Sequence, residues 1–246
     1  MKKTLTERTL IWAHRGADAY APENTIESFK LAVDMKADGV ELDVHLSKDG
    51  HIMVIHDEKI DRTSNGQGYV TDYTLDELRL FDFGYKFYKE IRGIKIPTLD
   101  EVYELLAPTG LTVNVEIKSA DPTINAALIE CAKKYNMENK VYYSSFNHLQ
   151  LSVIKELDKN VLIAPLYGFN MLNVWNYCTD IGAFASHPRS NQIELIPDYV
   201  KKCHEKGIRV HPWTVDTVEE ALFLADNGVD AIITNKPDLI REALGQ

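Results

Sequence analysis

The stretch from residue 39 to residue 57, GVELDVHLSKDGHIMVIHD, decides the fold. Polar and apolar residues alternate in its first half, which predicts a β-strand with Glu41 and Asp43 on its polar face. A Lys-Asp-Gly turn at 48–50 and the apolar run Ile52–Ile55 predict a hairpin. Two carboxylates two positions apart on one strand lie close enough to bind one hard cation.

Bulk composition limits the classes of function. The 246 residues are 45% hydrophobic and carry a net charge of −10, which disfavours binding to nucleic acid or to an anionic membrane. The three cysteines, Cys131, Cys178 and Cys203, have no zinc or disulfide spacing. No signal peptide or apolar run of about 18 residues is present. We therefore expect a cytoplasmic protein without stable membrane association, either monomeric or a homo-oligomer.

Apolar strand-like runs recur along the chain, and a helical pattern follows nearly every one. They are centred near residues 11, 41, 115, 142, 163, 184, 210 and 232. Strict alternation of strand and helix gives parallel strands with right-handed crossovers. Eight such units in about 250 residues predict an α/β fold, a (β/α)8 TIM barrel. A doubly wound open sheet is the alternative, but no Gly-x-Gly-x-x-Gly opens the first unit.

The segment 58–96 interrupts this regular pattern with glycines and aromatic residues. We interpret it as a small subdomain inserted after the second-strand hairpin, within a single domain covering residues 1–246. The aromatic side chains either form the small core of the insertion or line a substrate entrance. They are Tyr69, Tyr73, Phe81, Phe83, Tyr85, Phe87 and Tyr88.

Charged and titratable residues occur where the predicted strands end. In a TIM barrel, functional groups cluster at the carboxyl ends of the strands. Charges that point into the barrel are costly unless they pair or bind a metal. One candidate site therefore contains His14 and Arg15 after the first strand, Glu41 and Asp43 on the second, His56 after the hairpin, Glu116 and Lys118 beside Asn114 on the third, and Trp213 after the seventh.

The residue types in this set indicate phosphoryl chemistry. Three carboxylates offer only oxygen ligands, which favours Mg²⁺ or Ca²⁺ over zinc or copper. Arg15 and Lys118 supply positive charge for an anion. His14 and His56 titrate near neutrality, as a general acid and base require, and the sequence does not decide which has which role. The remaining polar candidates are interpreted as structural. Asn24, Asp121 and Asp216 are interpreted as helix caps, and the other six histidines as residues that stabilise the fold.

Several short motifs together resemble those of the glycerophosphodiester phosphodiesterases. The resemblance extends from about residue 11 to about residue 238. The motifs are His14-Arg15-Gly16, Pro22-Glu23-Asn24-Thr25, Glu41-x-Asp43, Asp49-Gly50, His56-Asp57, Pro97-Thr98-Leu99, Glu116-x-Lys118 and Trp213-Thr214-Val215. Each motif is short, and their combination in this order is specific.

The resemblance implies a barrel that hydrolyses a small-molecule glycerophosphodiester to sn-glycerol 3-phosphate and an alcohol. It implies a divalent cation on the three carboxylates, acid–base roles for the two histidines, phosphate contacts from Arg15 and Lys118, and Trp213 near the glycerol end. Asp216 stands where this family usually has Asn. Two alternatives stay open: a related, phospholipase D-like phosphodiesterase acting on lysophospholipid or another lipid diester, and a barrel that only binds a metal or phosphorylated ligand.

Overall fold

A ring of parallel strands surrounded by helices forms the fold. The computed structural model describes residues 8–87 and 91–246. The strands are β1 Leu10–Ala13, β2 Gly39–Leu46, β3 Ile52–Val54, β4 Thr112–Ile117, β5 Val141–Ser145, β6 Leu162–Tyr167, β7 Ala185–Pro188, β8 Arg209–Val210 and β9 Ala231–Thr234. The helices are α1 Ile26–Asp34, α2 Leu75–Leu78, α3 Leu99–Leu106, α4 Ile124–Lys134, α5 His148–Leu157, α6 Val174–Asp180, α7 Asn191–Leu195, α8 Tyr199–Glu205, α9 Val218–Asp226 and α10 Pro237–Ala243.

The strands follow the order β8-β7-β6-β5-β4-β2-β1-β9, and β3 pairs antiparallel with β2. The two ends of this row meet through backbone hydrogen bonds from Asp230 N to Val210 O and from Ile233 N to Pro212 O, both 3.0 Å long. The predicted TIM barrel and its hairpin are therefore confirmed.

The register between β2 and β4 positions the polar side chains of both strands. Glu41 is opposite Asn114, and Asp43 is opposite Glu116. The alternate residues of β2 lie in the hydrophobic core around the ring and are fully buried: Val40, Leu42 and Val44. Because side chains alternate across a strand, burial of this apolar face directs the carboxylates into the barrel.

The structure shows which of the predicted helix caps are present. Thr98 and Glu101 form a capping box at α3, as the spacing predicts. The helix-cap role for Asn24 is wrong, because Thr25 caps α1 and forms the capping box with Ser28. Asp121 accepts hydrogen bonds from Thr123, the residue before α4, and caps no first-turn amide of that helix.

The described residues of the segment 58–96 pack around a small hydrophobic cluster that they share with Met53 and Ile55. The buried members of that cluster include Ile60, Val70, Leu78 and Phe83, and Phe81 and Tyr73 pack against it. Tyr69 and Tyr85 are exposed, and Tyr88 lies outside the described residues. Aliphatic side chains thus supply most of this core. That the segment is an insertion within one domain stays a prediction.

No helix within residues 8–87 and 91–246 has the length and apolar character needed to cross a bilayer.

Candidate active site

Three buried carboxylates converge at the carboxyl end of β2 and β4. One oxygen each of Glu41, Asp43 and Glu116 lies within 4.8 Å of the others. Among the described residues, Glu41 Oε1 has no hydrogen-bond partner although it is buried. An unpartnered buried carboxylate oxygen is costly, and a hard cation with oxygen ligands satisfies it. The donor set therefore fits Mg²⁺ or Ca²⁺.

Two cationic side chains partly neutralise this cluster. Arg15 Nε lies 3.3 Å from Asp43 Oδ2, and its guanidinium also pairs with Glu23 at 3.0 Å. Lys118 Nζ lies 2.5 Å from Glu116 Oε1 and 3.4 Å from Asp43 Oδ1. Both side chains are mostly shielded from solvent, so their attraction to anions is only weakly screened.

The backbone conformation at Arg15 and Gly16 explains the His-Arg-Gly motif. Arg15 and Gly16 both have positive φ, and this turn directs the Arg15 amide to Glu41 Oε2 at 3.0 Å. At Gly16 a Cβ would collide with the backbone and side chain of Ser28, so glycine is required there. The turn therefore orients one carboxylate of the cluster through the main chain.

Crowding of like charges shifts the pKa values of the carboxyls. Burial and the neighbouring carboxylates Asp43 and Glu116 raise the pKa of Glu41 well above its usual value. Burial and Asp43 raise the pKa of Glu116 to about 7. Burial also acts on Asp43, but Arg15 and Lys118 outweigh it and lower its pKa to about 2. Burial and mutual repulsion therefore disfavour the charged forms of Glu41 and Glu116, whereas Asp43 stays charged.

His14 is held by a neutral partner. Its Nδ1 lies 2.6 Å from Asn235 Oδ1, and its Nε2 is 3.8 Å from Glu41 Oε2. Burial, followed by the nearby charge of Arg15, lowers the pKa of His14 to about 4. The imidazole is therefore neutral in the metal-free site.

His56 is held by a charged partner. Its Nδ1 lies 2.6 Å from Asp57 Oδ1, and Arg62 Nε donates to Asp57 Oδ2 at 2.7 Å. The backbone carbonyl of His56 accepts a hydrogen bond from His45 Nε2 at 3.1 Å. The Asp57 carboxylate orients the His56 ring, whereas the neutral amide of Asn235 orients the His14 ring, so the hydrogen-bond partners of the two histidines differ in charge.

A cavity of about 100 Å³ connects most of these groups. It is lined by His14, Arg15, Glu41, His56, Asn114, Glu116, Lys118, Phe146, Leu166, Trp213, Thr214 and Ile233. Trp213 donates its indole N–H to the carbonyl of His187 at 2.9 Å, and its ring packs edge-on against Phe146. Among the residues of 58–96 that the structure describes, none lines this cavity, and Phe83 and Phe87 line a separate pocket with Glu23 and Arg62.

The profile of the Glycerophosphoryl diester phosphodiesterase family matches residues 14–239. The chain belongs to this family. Similar proteins include a glycerophosphodiester phosphodiesterase of Caldanaerobacter subterraneus subsp. tengcongensis, 43% identical over 95% of this chain and 96% of its own length. A glycerophosphodiester phosphodiesterase of Bacillus subtilis is 33% identical over 96% of this chain and 86% of its own length.

Solved structures of the glycerophosphodiester phosphodiesterases share the fold. A phosphodiesterase of Oleispira antarctica, solved in complex with the product sn-glycerol-3-phosphate, superposes with a TM-score of 0.89 at 27% identity and covers 97% of this chain and 98% of its own. A glycerophosphodiester phosphodiesterase of Agrobacterium tumefaciens superposes with a TM-score of 0.85 at 28% identity, covering 95% and 99%. The predicted family, barrel and enzyme class are confirmed.

Several residues around the site were missed by the sequence interpretation. Asn24 donates to Asp43 Oδ2 at 2.9 Å and accepts from the Asp43 backbone amide at 3.3 Å, so it orients a member of the carboxylate cluster. The sequence points to Asp57 only as the neighbour of His56 in a motif, and no pattern in it points to Asn235 or Phe146. Asn24 precedes a predicted helix, and an asparagine at that position is equally typical of a helix cap.

The helix-cap interpretation of Asp216 is also wrong. Thr217 caps α9, and Asp216 instead accepts hydrogen bonds from Asn235 and Thr234 at the end of β9. The carboxylate lies behind His14, with Asn235 between them. In this member of the family, the side chain of residue 216 therefore contacts Asn235, which in turn contacts His14.

Proposed function

We propose that this protein hydrolyses glycerophosphodiesters to sn-glycerol 3-phosphate and an alcohol, in a metal-dependent reaction with His14 and His56 as base and acid. One observation carries the proposal: both imidazoles, the carboxylates Glu41 and Glu116, and two cations line a single cavity, and Asp43 lies directly behind these carboxylates. A site that only binds a ligand needs no paired imidazoles with differently charged partners.

Glu41, Asp43 and Glu116 would hold the divalent cation, Mg²⁺ or Ca²⁺. When bound, the ion supplies positive charge that polarises a non-bridging phosphoryl oxygen. Arg15 and Lys118 lie beside the carboxylate cluster and would contact the remaining phosphate oxygens. These oxygens are negatively charged acceptors, which a guanidinium and an ammonium bind well. Trp213 and Phe146 would pack against the glycerol moiety.

The different hydrogen-bond partners of the two histidines support different roles for them. His14 is neutral beside an amide, so its Nε2 would accept the proton of the attacking hydroxyl, from water or from the substrate's own glycerol. His56, whose ring Asp57 orients, would act as the acid that protonates the leaving alkoxide. The P–O bond to the alcohol then breaks with that oxygen protonated. Attack by water gives sn-glycerol 3-phosphate directly, whereas attack by the glycerol hydroxyl gives a cyclic phosphate that water must open in a second step, with the protonated His14 as the acid and His56 as the base.

Release of sn-glycerol 3-phosphate from glycerophosphocholine and glycerophosphoethanolamine, with Mg²⁺, Ca²⁺ or EDTA, tests the reaction. We expect release with metal and loss with EDTA. His14→Ala and His56→Ala should each lose about 10²- to 10⁴-fold in kcat, the range of general acid–base catalysis. His51→Ala, in the exposed hairpin turn, is the matched control. Full turnover in both active-site variants would refute the acid–base assignment.

A lipid diester is the second candidate substrate, and one observation favours it. Phe146 lines the cavity yet is 50% exposed, and Leu149 on the following helix is 76% exposed. Apolar side chains at a cavity mouth can contact an acyl chain. Comparing lysophosphatidylcholine with glycerophosphocholine separates the two, since preference for the lysolipid would replace the first substrate class with the second.

A further inference from the structure

Three side chains form a continuous hydrogen-bonded network behind the cavity. Asp216 Oδ2 accepts from Asn235 Nδ2 at 2.7 Å, and Asn235 Oδ1 lies 2.6 Å from His14 Nδ1. The other nitrogen of the imidazole, Nε2, points toward Glu41 and the cavity. We call this the Asp216–Asn235–His14 network.

The barrel holds this network in place. Asn235 directly follows β9, which pairs with β1 so that Ala13 is opposite Thr234. The His14 amide donates to the Thr234 carbonyl at 2.8 Å. Two further donors fix the Asp216 carboxylate at its other oxygen, the Asn235 amide at 2.8 Å and the Thr234 hydroxyl at 3.1 Å. Asp216 therefore has little freedom to turn away.

The chemistry of the network allows one direction of hydrogen bonding. An ionised carboxylate only accepts, so Asn235 must present its NH₂ group to Asp216 and its carbonyl oxygen to His14. A carbonyl oxygen also only accepts, so the proton of the neutral imidazole must reside on Nδ1. The lone pair is then on Nε2, the nitrogen that faces the cavity.

We propose that Asp216 is a positioning residue that, through Asn235, fixes the tautomer and orientation of His14 so that Nε2 is free to accept a proton. This inference rests on the proposed function in that it assumes His14 acts as the base. The tautomer itself is measurable without any substrate, so the two claims fail separately.

Exchanging the two side chains provides a sharp test. In Asp216→Asn, the new amide faces the amide of Asn235, so Asn235 must turn over and present NH₂ to His14. That orientation favours the proton on Nε2. In Asn235→Asp, the new carboxylate faces Asp216 without a donor between them. The double variant Asp216→Asn/Asn235→Asp restores every bond, because the amide introduced at position 216 donates to the carboxylate introduced at position 235, which also accepts from Nδ1–H of His14.

We expect each single variant to lose about 10- to 100-fold in kcat with little change in KM, and the double variant to recover most of it. Nitrogen-15 NMR of labelled histidine, recorded with and without Mg²⁺, should show the proton of His14 on Nδ1 in the wild type and the double variant, and displaced in Asp216→Asn.

The matched control is Asp230→Asn. Asp230 directly precedes β9, and its carboxylate accepts from the Val210 amide at 2.8 Å and from His204, so it supports barrel closure away from His14. Its substitution should lower Tm and leave kcat unchanged. The proposal is overturned if Asp216→Asn keeps wild-type kcat and the Nδ1 tautomer, or if the double variant is no better than the single variants. Wild-type His14 protonated on Nε2 would overturn it as well.

Discussion

Metal binding should release protons, and their number follows from the carboxylate cluster. With its pKa raised to about 7, Glu116 is half protonated at pH 7 and contributes about 0.5 proton when an ion replaces it. Glu41, whose pKa is raised well above its usual value, contributes up to about one more. We therefore expect about 0.5 to 1.5 protons released per ion at pH 7.

The same linkage sets the direction of the pH dependence. Protons compete with the ion, so affinity must rise with pH, and the Kd for Mg²⁺ should fall about 3- to 30-fold per pH unit around pH 7. Isothermal titration calorimetry in buffers of different ionisation enthalpy measures the proton number, and its repetition between pH 6 and pH 8 measures the slope.

Two comparisons make the measurement decisive. Ca²⁺ should release the same number of protons as Mg²⁺, because the protons come from the ligands. Glu116→Gln should release at least about 0.5 proton fewer at pH 7, since it removes one titrating carboxyl and also the charge that raises the pKa of Glu41. Binding without proton release and with a pH-independent Kd would refute the reasoning, because it would mean that the cluster is fully ionised before the ion arrives.

Three further predictions concern residues around the cluster. Asn24→Ala should weaken Mg²⁺ affinity about 10- to 100-fold by releasing Asp43, measured by calorimetry, whereas unchanged affinity would show that Asn24 does not orient the ligand. Gly16→Ala should lower the free energy of unfolding by about 1–3 kcal/mol in urea titrations, because its φ of +80° and the contact with Ser28 both disfavour a side chain. Burial lowers the pKa of His187 to about 3, so its protonation in the unfolded chain should reduce stability as pH falls below about 6.5, by up to about 1.4 kcal/mol per unit. His187→Gln should flatten that slope, and an equal slope in both proteins would contradict it.

The sequence predicts the barrel and the inner site because both follow from local periodicity. Alternation in β2 and β4 directs Glu41, Asp43 and Glu116 inward wherever the apolar face is buried, and parallel pairing brings the two strands to the same height. Predicting these three residues requires only the local alternation along each strand, and no contact with residues distant along the chain.

The residues that support the site could not be predicted in this way. Asn, Asp and Thr serve equally as helix caps, so Asn24 and Asp216 were assigned to the nearest helix, while adjacent threonines cap both helices. Their actual partners are distant along the chain: Asn24 reaches Asp43, and Asn235 reaches His14, 221 positions away. Only closure of the ring creates the second contact, and no period in the sequence indicates it.

Pairing of the first strand with the last makes the two halves of the site depend on different parts of the fold. The carboxylates Glu41, Asp43 and Glu116 lie on β2 and β4, which pair directly with each other. His14 and Asn235 lie 221 positions apart and meet because β1 pairs with β9. A perturbation that separates β1 from β9 would therefore break the contact at His14 and leave the register of the carboxylates intact.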